Sequence, residues 1–150
     1  MYNNYYIGVG HCSVVHEGPH GIGTKKRNFD EALQIGMITS IEPGYYSYKD
    51  GFGIRIENLA YVVPVEENDG GNSGDDKYMT FQHLTMCPIE TKLIDLNVMT
   101  EKQIEWLNNY HLDVRKVLSP RLKNNKQLLE WLIKKTEPIG AGQNKIEGKL

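Results

Sequence analysis

Two glutamates stand on either side of a tyrosine-rich turn: Glu42 in "ITSIEPGYY" and Glu57 in "GFGIRIEN". Carboxylates brought together across a hairpin repel, and each raises the other's pKa unless a cation sits between them. Hard divalent cations favour carboxylate oxygens, and two-metal hydrolases use bridging carboxylates to hold ions roughly 3.5–4 Å apart. Metal binding is one reading of the pair; a solvated strand face is the other. Pro43-Gly44 turns the chain just after Glu42, which suits a carboxylate facing a cleft. Period-two alternation sets Arg55 and Glu57 on one strand face and Ile54 and Ile56 on the other.

His16, in "HEGP", is the other residue with chemistry to offer. A histidine on a glycine-rich loop can act as general acid or base, bind a metal, or donate to a substrate carbonyl. It can equally be a structural histidine bonded to backbone. His11 and His20 flank it, and Glu17 follows it, but such spacing alone does not make a metal site. His83 and His111 lie beside apolar residues and read as structural. No GxSxG elbow or P-loop is present, and "GVG" and "GIG" are too short for a dinucleotide fingerprint.

The elements that must position these residues can be read from periodicity. "FDEALQIG" predicts a short helical turn closed by Gly36, while "MITSIEPGYY" and "FGIRIENLAYVV" predict strands. Asp50-Gly51 in "YKDG" is a hairpin signal between them, so Glu42 and Glu57 are expected at inward-looking points of adjacent strands. "EENDGGNSGDDK" cannot bury apolar surface and reads as a surface loop, after which "TFQHLTMCPI" resumes strand character. Thr100 with Gln103 fits a capping box. Ile104, Leu107, Tyr110, Val114 and Leu118 then recur at helical spacing, and "SPR" is expected to break that helix. A second helix is expected from about Asn125 to Lys135, with apolar residues on more than one face.

The chain has 150 residues, 39% hydrophobic and 24% charged, enough for one domain with a core. A net charge of −2 gives no reason to expect nucleic acid or an anionic membrane as partner, and "GTKKR" reads as a solvated loop. No apolar run reaches the ~18 residues a membrane span needs, and "MYNNYYIGVG" lacks the plan of a secretory signal. Cys12 and Cys87 lack CxxC spacing and read as small buried thiols in a reduced compartment, so the cytoplasm is the expected location.

The ordered set "GVG", "VHEGP", "GMITSIEPGYY", "GFGIRIEN" and "LTMCPI" resembles the pita-bread metallopeptidases, and among them the Xaa-Pro aminopeptidases. "WLNNYH" is similar to the C-terminal extension of that branch. The resemblance covers about Ile7 to Ile139. It implies an α+β chain made of the second half of a pita-bread fold with a helical C-terminal extension. The implied organisation is a partial catalytic domain over 1–66, an acidic loop over 67–77, the last strand and helical extension over 78–139, and a disordered tail over 140–150.

The resemblance further implies two metal ions, usually Mn²⁺, with Zn²⁺ or Co²⁺ as alternatives, and hydrolysis of peptides with proline in second position. Glu42 and Glu57 match the last two metal ligands, His16 matches the substrate-binding histidine, and Arg55 is expected to steady the ligands from behind. Partners implied are such peptides and a second copy of the chain. The family's metal histidine stands nine residues before the "HEGP" histidine, which here is Ile7; His11 could replace it only with a deletion between. The two aspartate ligands are expected on upstream strands absent here. The isolated chain is therefore expected to be a truncated product without activity, with open sheet edges.

Overall fold

The computed structural model describes residues 2–3, 6–9, 18–22, 31–65 and 78–140. His11, Cys12, His16, Glu17, "GTKKR", the acidic loop and the final ten residues lie outside the described residues. The chain divides into two compact units, Met1–Thr85 and Met86–Leu150.

Among its described residues the first unit holds two antiparallel sheets. Five strands run in the order β3 (Gly21–Ile22), β2 (Tyr6–Gly8), β4 (Ile38–Ile41), β7 (Asn58–Pro64), β8 (Met79–His83). Three others run in the order β1 (Tyr2–Asn3), β5 (Gly44–Ser47), β6 (Phe52–Arg55). β7 shows the alternation of a half-covered strand: Asn58, Ala60 and Val62 are buried, and the residues between them are not. At the centre of the large sheet, Thr39 and Ser40 of β4 are buried. The hairpin expected at Asp50-Gly51 joins β5 to β6, with Gly51 at φ 71°, a conformation glycine adopts without the steric cost other residues meet.

Several expectations are corrected. Residues 31–36 form no helix; Gly36, at φ 88°, closes a turn in which the Met37 N–H donates to the Gln34 carbonyl at 3.1 Å. The Gly36 N–H also donates to the Val62 carbonyl at 2.8 Å, so a donor that a helix would have used bonds to β7 instead. "TFQHLTMCPI" is strand only to His83. The strand that follows the acidic loop, β8, pairs along β7 within the first unit. All four residues of β6 are exposed, including Ile54, so Ile54 and Ile56 do not face a core among the described residues.

The second unit begins with two single-turn 3₁₀ helices, Thr91–Leu93 and Leu96–Val98, capped by the carboxylates of Glu90 and Asp95. Helix α1 (Glu101–Leu122) opens with the expected capping box: the Gln103 N–H donates to Thr100 Oγ1 and the Thr100 N–H to Gln103 Oε1. Its apolar stripe buries Leu107, Tyr110 and Val114 against Leu132 of α2 (Lys126–Lys135). Pro120 does not break α1: it stands in the last turn, and the helix runs only two residues beyond it, to Leu122. Asn125 caps α2, and Arg115 of α1 donates to Thr136 Oγ1 at 2.9 Å and to the Ile133 carbonyl at 3.2 Å. A cation at the carbonyl end of a helix is favourably placed against the helix dipole. Leu128, Trp131 and Ile133 of α2 stay exposed, as its more-than-one-faced pattern predicts.

Candidate functional site

Glu42 and Glu57 are not on strands. Glu42 follows β4 and precedes β5; Glu57 follows β6 and precedes β7. The pairing explains why they meet. Ile41 lies opposite Asn58 in the large sheet, and Gly44 lies opposite Arg55 in the small one. Between these pairs, Glu42-Pro43 on one chain segment faces Ile56-Glu57 on the other, and the Ile56 N–H donates to the Pro43 carbonyl at 3.3 Å. The two carboxylates thus stand on paired crossings where the chain passes from one sheet to the other. Proline at 43 suits that place, since it offers no N–H to a ladder.

Glu42 is buried, at 5% exposure, while Glu57 is exposed. A buried carboxylate needs partners. Ser40 Oγ donates to Glu42 Oε1 at 2.7 Å, and Arg55 Nη1 donates to Glu42 Oε2. Arg55 is held in turn by Tyr46: its Nε donates to the Tyr46 hydroxyl at 2.8 Å, and the guanidinium lies 5.6 Å from the ring centroid. The Tyr46 hydroxyl first, then the charges of Glu42 and Glu57, raise the Arg55 pKa above its ordinary value. Tyr46 in turn depends on glycine. A Cβ on Gly53 would stand 2.5 Å from Tyr46 Cδ1, and one on Gly44 would stand 2.9 Å from Tyr46 Cε2. The glycines of "EPGYY" and "FGIR" therefore leave room for the ring that holds Arg55.

Ser40 and Tyr46 were not singled out by sequence reasoning. Ser40 had a signal, since it stands near the end of β4, two residues before Glu42, and extended backbone puts residues two apart on one face. His16 lies outside the described residues, so the geometry places only Glu42, Arg55 and Glu57 of the expected set. His20 is buried, and its Nε2 donates to the Ile38 carbonyl at 2.9 Å. Ile7, by backbone register, lies opposite Ser40 on one side and Gly21 on the other.

The donor chemistry suits a hard divalent ion, because both groups are carboxylates. The donor count does not. Among the described residues no three His, Cys, Asp or Glu side chains gather to hold a metal, and Glu42 already spends both oxygens on Ser40 and Arg55. These residues do not by themselves make a two-ion centre. Cys87 is exposed rather than buried, because Tyr110 holds its backbone and its thiol turns outward to the Pro88 carbonyl.

Comparison with known proteins gives a consistent picture. Residues 1–64 match the family model described as metallopeptidase family M24, and residues 77–139 match that described as the C-terminal region of peptidase M24. A probable Xaa-Pro aminopeptidase P of Coprinopsis cinerea is 50% identical over 133 residues, covering 88% of this chain and 21% of that protein. Aminopeptidase P1 of Lotus japonicus is 47% identical over 135 residues, covering 89% and 20% respectively. The crystal structure of an X-prolyl aminopeptidase from Caenorhabditis elegans, described as a cytosolic enzyme with a di-nuclear active site, superposes with a TM-score of 0.76 at 36% identity. That match covers 91% of this chain and 22% of the nematode one. The chain thus spans about a fifth of the length of the relatives it matches.

Proposed function

The chain belongs to metallopeptidase family M24, with the pita-bread fold of its solved relative, and from that we propose that it is part of an Xaa-Pro aminopeptidase. The reading is that the complete protein removes an N-terminal residue ahead of proline. The observation that carries it is the 50% identity over 133 residues, spanning both units, to a protein named for that activity. Glu42 and Glu57 are proposed as two ligands of a two-ion site, with Mn²⁺ as the preferred ion and Zn²⁺ or Co²⁺ as alternatives. His16 is proposed to bind the substrate. Arg55, held by Tyr46, keeps the Glu42 carboxylate in place. The remaining donors must come from residues other than those described, since two carboxylates cannot cage two cations.

The same reading makes residues 1–66 a partial catalytic domain and 78–139 its last strand and helical extension, and it sets the protein in the cytoplasm. Peptides with proline in second position are the proposed substrates. We expect the 150-residue chain alone to be inactive. The test is hydrolysis of an Arg-Pro peptide with added Mn²⁺, by this chain and by a version extended to the length of the relatives. Turnover by the extended protein only is the expected result. Turnover by the short chain would overturn the donor-count argument, and inactivity of both would overturn the assignment.

A second reading is a non-catalytic association module of the same fold, such as a homodimer contact. It rests on the exposed Leu128, Trp131 and Ile133 of α2. Sedimentation of the pure chain tests it: a monomer at all concentrations excludes it.

A further inference from the structure

Two stretches of the C-terminal unit, "MCPI" and "NNYH", turn out to be hydrogen-bonded to each other. Tyr110 and His111, adjacent on α1, are 2% and 1% exposed. The Tyr110 hydroxyl donates to the Cys87 carbonyl at 2.8 Å, and the Cys87 N–H reaches that hydroxyl at 3.4 Å. His111 Nε2 accepts from the Ile89 N–H at 3.0 Å. The two side chains thus grip the backbone on either side of Pro88, which has no N–H of its own.

The tautomer follows. A backbone N–H can only donate, so Nε2 must present its lone pair, and the neutral ring carries its proton on Nδ1. Nδ1 is buried and has no hydrogen-bond partner among the described residues. A second proton has only Nε2 to go to, where it would point at the Ile89 N–H, donor against donor.

We propose that Tyr110 and His111 form an acid-sensitive latch, in which neutral His111 holds Ile89 and proton uptake at Nε2 releases the Cys87–Ile89 segment from α1. The surroundings agree with this. Burial first lowers the His111 pKa from its ordinary value; the Ile89 backbone opposes that shift, and the charge of Arg115 one turn along α1 adds to it. Arg115 is committed to Thr136 and the Ile133 carbonyl, which are neutral oxygens and leave its charge in place. On the released segment the nearest charges in sequence are Glu90, paired with Lys135 of α2, and Lys92.

A lowered pKa means that the open state takes up the proton first. The latch is at full strength above the ordinary histidine value of 6.5 and weakens as pH falls from there towards the folded value. Within that window the closed-to-open ratio falls with pH by at most about tenfold per unit, the limit set by one proton.

The test uses the 150-residue chain and amide exchange at Ile89, corrected for intrinsic rates, together with ¹⁵N spectra of the imidazole. Expected are an Nδ1–H tautomer at pH 7.5 and a loss of Ile89 protection as pH falls below 6.5, by at most about tenfold per unit. His111→Gln, whose amide oxygen can still accept, should hold Ile89 with protection unchanged between pH 7 and pH 5. An Nε2–H tautomer, protection independent of pH in the unaltered chain, or the same acid loss in His111→Gln would each overturn the latch. Should His111→Gln not fold, the tautomer and the pH profile of the unaltered chain decide the matter.

Discussion

Arg55 reaches across from the end of β6 to the buried carboxylate of Glu42, so the two residues close the crossing between the two sheets with one ion pair. The pair is asymmetric: the Glu42 side chain is 6% exposed and the Arg55 side chain 31%. Its failure would strand the carboxylate, not the cation, away from water.

Arg55→Leu is therefore expected to destabilise the first unit, and pairing it with Glu42→Gln should recover part of the loss. Urea unfolding of the two single variants and the double variant measures this. Additive losses would show that the pair has no coupling of its own.

Ser40→Ala removes the other partner of Glu42 from a buried site. A hydrogen bond to a charged group contributes about 1.5–3 kcal/mol, and a loss of that size is expected in chemical unfolding. An unchanged midpoint would mean that water replaces the hydroxyl.

Gly53→Ala puts a methyl where the Tyr46 ring lies. The ring must move, and Arg55 loses the hydroxyl that accepts from its Nε. A shifted Tyr46 ring resonance with weakened stability is expected. Gly51→Ala, by contrast, meets no neighbouring atom and costs only the strain of its positive φ.

Leu132→Ala hollows the packing between α1 and α2, where Leu132 is fully buried against Leu107, Tyr110 and Val114. Such truncations cost about 2–5 kcal/mol, and the loss should appear in thermal unfolding of the helical unit.

Lys135 first, and then the Lys92 N–H, lower the Glu90 pKa below its ordinary 4.5. A carboxylate whose folded pKa is depressed adds stability above the unfolded value, and that stability is lost as pH falls through the folded one. Lys135→Met should therefore lower the melting temperature at pH 7 by more than at pH 3. An equal loss at both would assign the effect to the ammonium in the last turn of α2 rather than to its pairing with Glu90.

Local signals in the chain were enough for those elements whose cause is itself local. The Thr100–Gln103 box, the helix from about Asn125 to Lys135, the Asp50-Gly51 hairpin and the stripe through Leu107, Tyr110 and Val114 all stand as read. Each depends on residues within a few positions of one another. Where a local sign misled, a more distant partner or the position within an element had decided the outcome. Residues 31–36 gave up a helix because Gly36 bonds to Val62. Pro120 left α1 intact because it stands in the last turn, two residues from the helix end at Leu122.

The candidate site divides along the same line. The ordered motifs around Glu42, Arg55 and Glu57 were sufficient to assign the family, because residue type and order survive in a linear chain. Their arrangement was not legible there. That Glu42 is buried, that Ser40 and Arg55 hold its two oxygens, and that Tyr46 needs Gly44 and Gly53 to reach Arg55 follow from strand register. Likewise, "MCPI" and "NNYH" were two separate resemblances until the fold joined Cys87 and Ile89 to Tyr110 and His111. Sequence alone determined which groups this protein carries and which local turns and helices they favour. Tertiary structure decided which of those groups lose water and which partners repay that loss, because burial and pairing belong to residues distant in the chain and adjacent only in space.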